Sequence, residues 1–190
     1  MTKFTASAFC ACARLQSLKE RSMNWNMKKT AQSFAILHAP TKTGPFQPLV
    51  KECEKFGVMP GIENLMRYPF NYPYFYSRIA EDQVELIDKL NSKNVCAIRD
   101  FGHANLVDTD HAQRIRTVGS HIRGTHVHNN DGIQDNHYPP FLPEPTSYYV
   151  RRSVDWKSVL SALKSTDFDG YLTLESIFPY QYPIEGYIRY

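Results

Sequence analysis

The chain has 190 residues, of which 42% are hydrophobic and 22% charged, enough for one globular domain with a core and too few for two. Its formal net charge of +3 comes from scattered basic residues, which is not the electrostatic pattern of a nucleic-acid-binding protein. The sequence has no apolar run near the roughly 20 residues that a membrane span needs. Its four cysteines form no CxxC pair, which favours a reducing, cytoplasmic location.

The hydrophobic pattern predicts strands that alternate with helices. Residues 1–30 show no clear period and are interpreted as a poorly specified lead-in, followed by one domain over 31–190. The predicted strands lie at 33–38, 58–65, 94–100, 124–128 and 171–176, and the predicted helices lie at 48–56, 80–90, 109–118 and 154–164. Because the connections are long enough for parallel pairing, we expect an α/β fold with a parallel sheet.

Three loops lack any period. Residues 67–78 hold six aromatic residues and two prolines, and residues 138–153 hold four prolines. The aromatic residues are interpreted as packing over the rim of the sheet, with sugar stacking as the alternative. Together with residues 39–47, these loops are expected to set substrate specificity, since loops on a rigid scaffold usually carry it.

The stretch 122–137, IRGTHVHNNDGIQDNH, is the richest in reactive side chains. His126 and His128 would point the same way from a strand, because side chains alternate between its faces. The following Asn-Asn-Asp-Gly predicts a turn, and Asp135 and His137 come after it. Imidazole and carboxylate groups at the end of a strand are typical ligands of Zn²⁺ or Mn²⁺, with a solvated polar loop as the alternative.

Similar residues stand at or just after the end of every predicted strand. They are His38, Glu63, Asp100, His128 and Glu175. In a (β/α) barrel, the carboxyl ends of the strands form the active-site face. Residues about one strand-helix unit apart in the sequence are therefore expected to converge there.

Four blocks of the chain carry a family resemblance: GVMPGIENL, NVCAIRDFGHAN, GTHVHNNDGIQDNH and VDWKSVLSALKSTDFDGYLTLES. In this order they resemble the xylose isomerase-like TIM barrel superfamily, over about residues 33–177. That superfamily holds sugar phosphate isomerases, ketose 3-epimerases and DNA repair enzymes of the endonuclease IV type. The resemblance implies a partial (β/α) TIM barrel of about five parallel strands, the C-terminal part of an eight-stranded barrel.

The epimerase branch of the superfamily implies a metal-dependent reaction. It implies one divalent ion (Mn²⁺, Mg²⁺, Co²⁺ or Zn²⁺) bound by Glu63, Asp100, His128 and Glu175. The two glutamates would also be the catalytic acid and base of a sugar or sugar phosphate isomerase or epimerase that proceeds through a cis-enediolate. A small sugar is the expected partner, and its predicted binding residues are His38, His103, Asp135 and His137.

The endonuclease branch is the alternative activity. By resemblance, His103, Asp135 and His137 would correspond to its third zinc site and His38 to a ligand of its first. The short loop before Asp135 and the absence of basic clusters favour the isomerase branch, because a duplex-binding enzyme must neutralise phosphates.

The sequence also departs from the family, since only five of eight strands are predicted. The departure leaves open a chain truncated at its N-terminus, a half-barrel that closes as a homo-oligomer, and an inactive family member or interaction protein.

Overall fold

The computed structural model describes residues 34–37, 46–66, 77–107, 110–140 and 152–176. The strands are β1 (Phe34–Leu37), β2 (Met59–Glu63), β3 (Cys96–Asp100), β4 (Ile122–Val127) and β5 (Tyr171–Leu174). The helices are α1 (Phe46–Lys55), α2 (Ala80–Leu90), α3 (Phe101–Val107), α4 (His111–Val118) and α5 (Trp156–Ser165). The described residues do not include the predicted lead-in, His38 or most of the three loops at 39–47, 67–78 and 138–153.

The five strands form one parallel sheet in the order β1-β2-β3-β4-β5. Each strand therefore pairs with its neighbours in the chain, as in a (β/α) barrel. The predicted α/β class, the parallel pairing and the number of strands are confirmed. None of the helices among the described residues is long and apolar enough to cross a membrane.

Helix α2 shows why the amphipathic pattern was informative. It spans the predicted residues, with Glu81 and Asp82 in its first turn and Lys89 in its last, which suits the helix dipole. It ends at Asn91, whose φ of 46° lies in the left-handed region that asparagine tolerates. Helix α5 begins after Asp155, whose carboxylate accepts a hydrogen bond from the backbone N–H of Ser158.

Helix α3 was not predicted. It follows β3 directly, and the Asp100 carboxylate accepts a hydrogen bond of 2.8 Å from the backbone N–H of His103 in its first turn. The predicted helix at 109–118 corresponds to the next helix, α4, which begins after its own N-cap residue, Asp110. At seven residues, α3 is too short to show a helical period in the sequence.

The hydrophobic core lies between the sheet and the helices. Ala97 of β3 packs with a cluster that includes Leu86, Ile115 and Leu163 from α2, α4 and α5. Because side chains alternate along a strand, Asp100 points to the face opposite Ala97. The reactive side chains can therefore gather on one face of the sheet while the other face is covered.

Candidate active site

Four side chains at the carboxyl ends of four strands converge on one point, and we call them the carboxylate cluster. They are Glu63, Asp100, His126 and Glu175. One ligand atom from each lies within 4.8 Å of the others, so the group could hold a metal ion. His126 Nδ1 is central, at 2.7 Å from Glu63 Oε1, 3.0 Å from Glu175 Oε2 and 3.6 Å from Asp100 Oδ2.

Strand register explains why these residues meet. Asp100 and His126 are partners in the ladder between β3 and β4, so their side chains leave the sheet side by side. Glu63 is the last residue of β2, and Glu175 follows β5 directly. The backbone N–H of Glu175 donates to the carbonyl of Val127, which extends the pairing of β5 with β4 beyond the strand.

The surroundings shift the pKa values of His126 and Asp100 in opposite directions. Burial alone would lower the pKa of His126, but contacts with Asp100, Glu175 and Glu63 outweigh it and raise the pKa to about 12. Burial would raise the pKa of Asp100, yet the neighbouring His103 and His128 hold it well below its usual range. Three acidic side chains therefore surround one histidine, and a divalent cation would suit a site so rich in oxygen ligands.

A second group adjoins the first, and we call it the histidine cluster. It consists of His103, His128, Asp135 and His137, whose ligand atoms also lie within 4.8 Å of one another. Asp135 Oδ2 lies 3.3 Å from His103 Nε2 and 3.0 Å from His137 Nε2. The rings of His128 and His137 stack with centroids 3.9 Å apart and an angle of 4° between their planes.

The ring orientations in the histidine cluster resemble those of metal ligands. His103 Nδ1 lies 3.0 Å from the carbonyl of Asn64, and His137 Nδ1 lies 2.8 Å from the carbonyl of Glu175. A histidine that binds a metal through one nitrogen usually donates its other N–H to such a group. His128 Nδ1 and Asp135 Oδ1 are buried without a hydrogen-bond partner, which also fits a site that could accept an ion.

The carboxylate of Asp135 contributes to the pKa shifts of two histidines in the histidine cluster, His103 and His137. Burial would lower the pKa of His103, but Asp100 and Asp135 raise it to about 10. The hydrogen bond with Asp135 raises the pKa of His137 to about 9. Burial would raise the pKa of Asp135, but His103 and His137 hold it below its usual range.

The loop after β4 holds the histidine cluster in place. The backbones of Asn129 and Tyr138 exchange two hydrogen bonds of 2.7 Å, which fold the loop back on itself. His137 has a φ of 53°, a left-handed conformation that is uncommon for residues other than glycine. Gly102 of α3 lies against the ring of His128, and a Cβ at this position would overlap that ring.

The structure brings together most of the predicted site residues. Glu63, Asp100 and Glu175 meet as the strand ends predicted, but His126 takes the place beside them that was expected for His128. His128 still lies 3.0 Å from Asp100 Oδ1, although it groups with the histidine cluster. The reason is that β4 ends at Val127, so that only His126 lies within the ladder.

The other predicted residues fall in two places. His103, Asp135 and His137 lie in the histidine cluster, next to the predicted metal site. His38 lies outside the described residues. The sequence predicts that His126 and His128 share one face of the strand, and the family resemblance implies a metal-binding role for His128 only. The roles assigned to all these residues stay predictions.

The fold and the two clusters define a class: a parallel α/β sheet of the (β/α)-barrel kind, with its reactive residues at the carboxyl ends of the strands. Residues 46–188 match the model of one such family, described as the xylose isomerase-like TIM barrel. The chain belongs to this family, and the resemblance seen in the four sequence blocks is confirmed.

Three similar proteins illustrate the relationship. The uncharacterized protein MJ1311 of Methanocaldococcus jannaschii is 25% identical over 130 residues, which are 67% of this chain and 40% of the relative. A D-tagatose 3-epimerase-like protein has a similar structure, with 21% identity, a TM-score of 0.58 and coverage of 76% of this chain and 57% of its own. An AP endonuclease of family 2 from Brucella melitensis has 18% identity, a TM-score of 0.52 and coverage of 69% and 45%.

These likenesses show the shared fold. The chain spans less than two thirds of the length of each of these proteins.

Proposed function

We propose that the chain forms the metal-binding half of a divalent-metal-dependent isomerase or epimerase of sugars or sugar phosphates. The carboxylate cluster carries this proposal, because it places three carboxylates and a histidine at the active-site edge of the sheet. The D-tagatose 3-epimerase-like neighbour adds support from the fold. A soluble sugar is the proposed partner, and a cytoplasmic location remains a prediction.

The proposed ligands are Glu63, Asp100 and Glu175 with one histidine. Geometry favours His126 as that histidine, and the family resemblance favours His128. Mn²⁺, Mg²⁺, Co²⁺ and Zn²⁺ are the candidate ions, since carboxylate and imidazole ligands suit each of them. When bound, such an ion would polarise a carbonyl and a hydroxyl of the sugar.

Glu63 and Glu175 are the proposed acid and base. One carboxylate removes a proton from the carbon next to the carbonyl, and the other returns a proton to the opposite face of the resulting enediolate. The two glutamates come from β2 and from the end of β5, so they approach the cluster from different strands. His103 is proposed to donate a hydrogen bond to a substrate oxygen, and Asp135 and His137 to bind further hydroxyl groups.

Deuterium exchange tests this function directly. The protein is incubated with Mn²⁺ and a panel of ketoses in D₂O. It should catalyse the incorporation of deuterium into the ketose, at the carbon next to the carbonyl. Glu63→Gln and Glu175→Gln should each lower this rate by about 10² to 10⁴-fold, as expected for loss of an acid or base. Glu52→Gln, on the exposed face of α1, is the matched control and should react as the wild type does. A protein that binds Mn²⁺ but exchanges no deuterium with any ketose contradicts the proposal.

The histidine cluster favours a second candidate, an AP endonuclease that uses several zinc ions. Two adjoining groups that could each hold an ion suit phosphodiester cleavage, in which metals stabilise both the attacking and the leaving oxygen. Cleavage of duplex DNA at an abasic site, together with more than one zinc per chain, would favour this candidate. One metal per chain and no cleavage would exclude it.

A further inference from the structure

Asn64 follows Glu63 and is completely buried, with 0% of its surface exposed. We infer that Asn64 is a positioning residue, which holds Asp100 and His103 in place beside Glu63. The catalytic meaning of this inference rests on the proposed function, whereas the contacts of Asn64 do not depend on it.

The first step concerns the side chain of Asn64. Its Nδ2 donates to the carbonyl of Asp100 at 2.9 Å, and its Oδ1 accepts from the backbone N–H of Asp100 at 2.8 Å. The last register pair between β2 and β3 joins Glu63 to Ile98, so β3 continues two residues past its partner strand. The amide of Asn64 takes the place of the missing backbone partner, so Asp100 stays in line with the sheet.

The second step concerns His103. The carbonyl of Asn64 lies 3.0 Å from His103 Nδ1, and the carboxylate of Asp100 accepts the backbone N–H of His103. The backbone carbonyl of Asn64 therefore orients the ring directly, and its side-chain amide holds Asp100, which caps the first turn of α3. With Nδ1 turned to a carbonyl, Nε2 of His103 faces Asp135 at 3.3 Å. One buried asparagine thus connects the carboxylate cluster with the histidine cluster.

The third step is the energetic consequence. Removing the amide leaves the N–H and the carbonyl of buried Asp100 without these partners, and an unsatisfied buried backbone group is strongly unfavourable. Part of that cost can be relieved if the Asp100 turn moves, which would separate its carboxylate from Glu63. Outer groups that orient metal ligands typically change metal affinity 10- to 100-fold when they are mutated.

Gln83 provides a matched control between the same two strands. It is also completely buried, and its Nε2 donates to the carbonyls of Ile62 and Ile98, at 2.6 and 3.1 Å. Gln83 therefore ties β2 to β3 as Asn64 does, but its side-chain amide donates to the carbonyls of Ile62 and Ile98 and not to Asp100 or His103. Gln83→Ala should destabilise the sheet without moving the site.

Cobalt binding tests the inference. Titrating the full chain with Co²⁺ gives an affinity and a visible spectrum that reports the coordination geometry. Asn64→Ala should weaken Co²⁺ binding about 10- to 100-fold and alter the spectrum. Gln83→Ala should lower the free energy of unfolding but keep the spectrum of the wild type and an affinity within about 3-fold of it. Unchanged binding in Asn64→Ala, or equal weakening in Gln83→Ala, would overturn the inference.

Amide hydrogen exchange separates this inference from the proposed function. Asn64→Ser, a milder change, serves if the alanine variant does not fold. In either variant, exchange at the backbone N–H of Asp100 and His103 should become faster relative to the rest of β3, with no metal present. If the wild type binds no Co²⁺, the metal-dependent function is contradicted, and the exchange result alone decides the role of Asn64. Unchanged exchange at Asp100 counts against it.

Discussion

The carboxylate cluster and the histidine cluster lie side by side but are built in different ways. The first takes its four residues from the ends of β2, β3, β4 and β5, so the sheet assembles it from distant parts of the chain. The second takes His128, Asp135 and His137 from one loop and only His103 from α3. The first therefore depends on strand pairing, whereas the second depends on the conformation of a single loop.

The two clusters also differ in charge. The carboxylate cluster has three acidic groups and one histidine, and the histidine cluster has one acidic group and three histidines. Carboxylate-rich sites suit hard ions such as Mn²⁺ or Mg²⁺, and histidine-rich sites suit Zn²⁺. If both bind ions, we expect the first to prefer Mn²⁺ and the second to prefer Zn²⁺.

Asp100→Asn should have the largest effect, because Asp100 contacts both clusters. Its carboxylate lies 3.6 Å from His126 and 3.0 Å from His128, and it also caps α3. Removing one partner of a buried charge pair commonly costs 3–5 kcal/mol, so we expect lost metal binding and a large loss of stability. Calorimetric titration and urea unfolding measure the two effects. Asp88→Asn, an exposed residue near His121, is the control and should change neither.

His126→Ala and His128→Ala separate the clusters from each other. The geometry predicts that His126→Ala weakens Mn²⁺ binding by 100-fold or more, since a direct ligand is lost, and that His128→Ala weakens it by about 10-fold. Zn²⁺ binding should show the opposite order. A reversed order for Mn²⁺ would mean that His128 is the metal ligand, as the family resemblance implies.

Gly102→Ala should disturb the histidine cluster more than the carboxylate cluster. The added methyl group would overlap the ring of His128, and such overpacking typically costs 1–3 kcal/mol. We expect a clear loss of Zn²⁺ binding and a smaller loss of Mn²⁺ binding, no larger than that of His128→Ala. Gly102→Ser, which adds a larger group, should have the stronger effect of the two. Equal losses of both metals would show that the clusters move together.

The stability of the metal-free protein should fall at alkaline pH. Folding raises the pKa of His137 to about 9 and of His103 to about 10, so their contribution is fully present below the unfolded pKa of about 6.5. It is lost as the pH rises through about 9 to 10. The lowered pKa of Asp135 acts in the other direction, since its contribution is present above 3.8 and is lost as the pH falls.

Urea unfolding at a series of pH values checks this profile. His137→Gln should make the alkaline decline smaller, because only His103 of the two histidines is left to titrate in that range. A decline of equal size in the variant would assign the effect to other groups.

Asp155→Ala should have the smallest effect and serves as the reference for the comparison. The carboxylate of Asp155 caps α5 by accepting a hydrogen bond from the backbone N–H of Ser158. Such caps contribute about 1 kcal/mol to stability. Thermal unfolding should show this loss, and binding of both metals should be unchanged. A change in metal binding would mean that global stability contributes to the effects seen in the other variants.

Local sequence patterns were sufficient to predict most of the fold. Short apolar or alternating runs predicted the five strands of the described residues within a few residues, and the apolar period of α2 predicted its bounds. The alternation of these elements predicted the parallel sheet. It also predicted that Glu63, Asp100 and Glu175 would meet, because parallel strands place their carboxyl ends at one edge.

Two features depended on tertiary structure. Helix α3 was not predicted because its seven residues carry no visible period. Asn64 gave no signal, since its contacts with Asp100 arise only where β2 ends before β3. The role of a buried amide cannot be read from its place in the sequence, because its partners lie 36 residues away.

The two histidines of the HVH motif show the same limit most clearly. The sequence by itself determined that His126 and His128 share one face, since a strand has a period of two residues. It could not determine which of them lies beside Glu63 and Glu175. That was decided by the register of β4 on β3, which pairs His126 with Asp100 and leaves His128 beyond the strand, against Gly102.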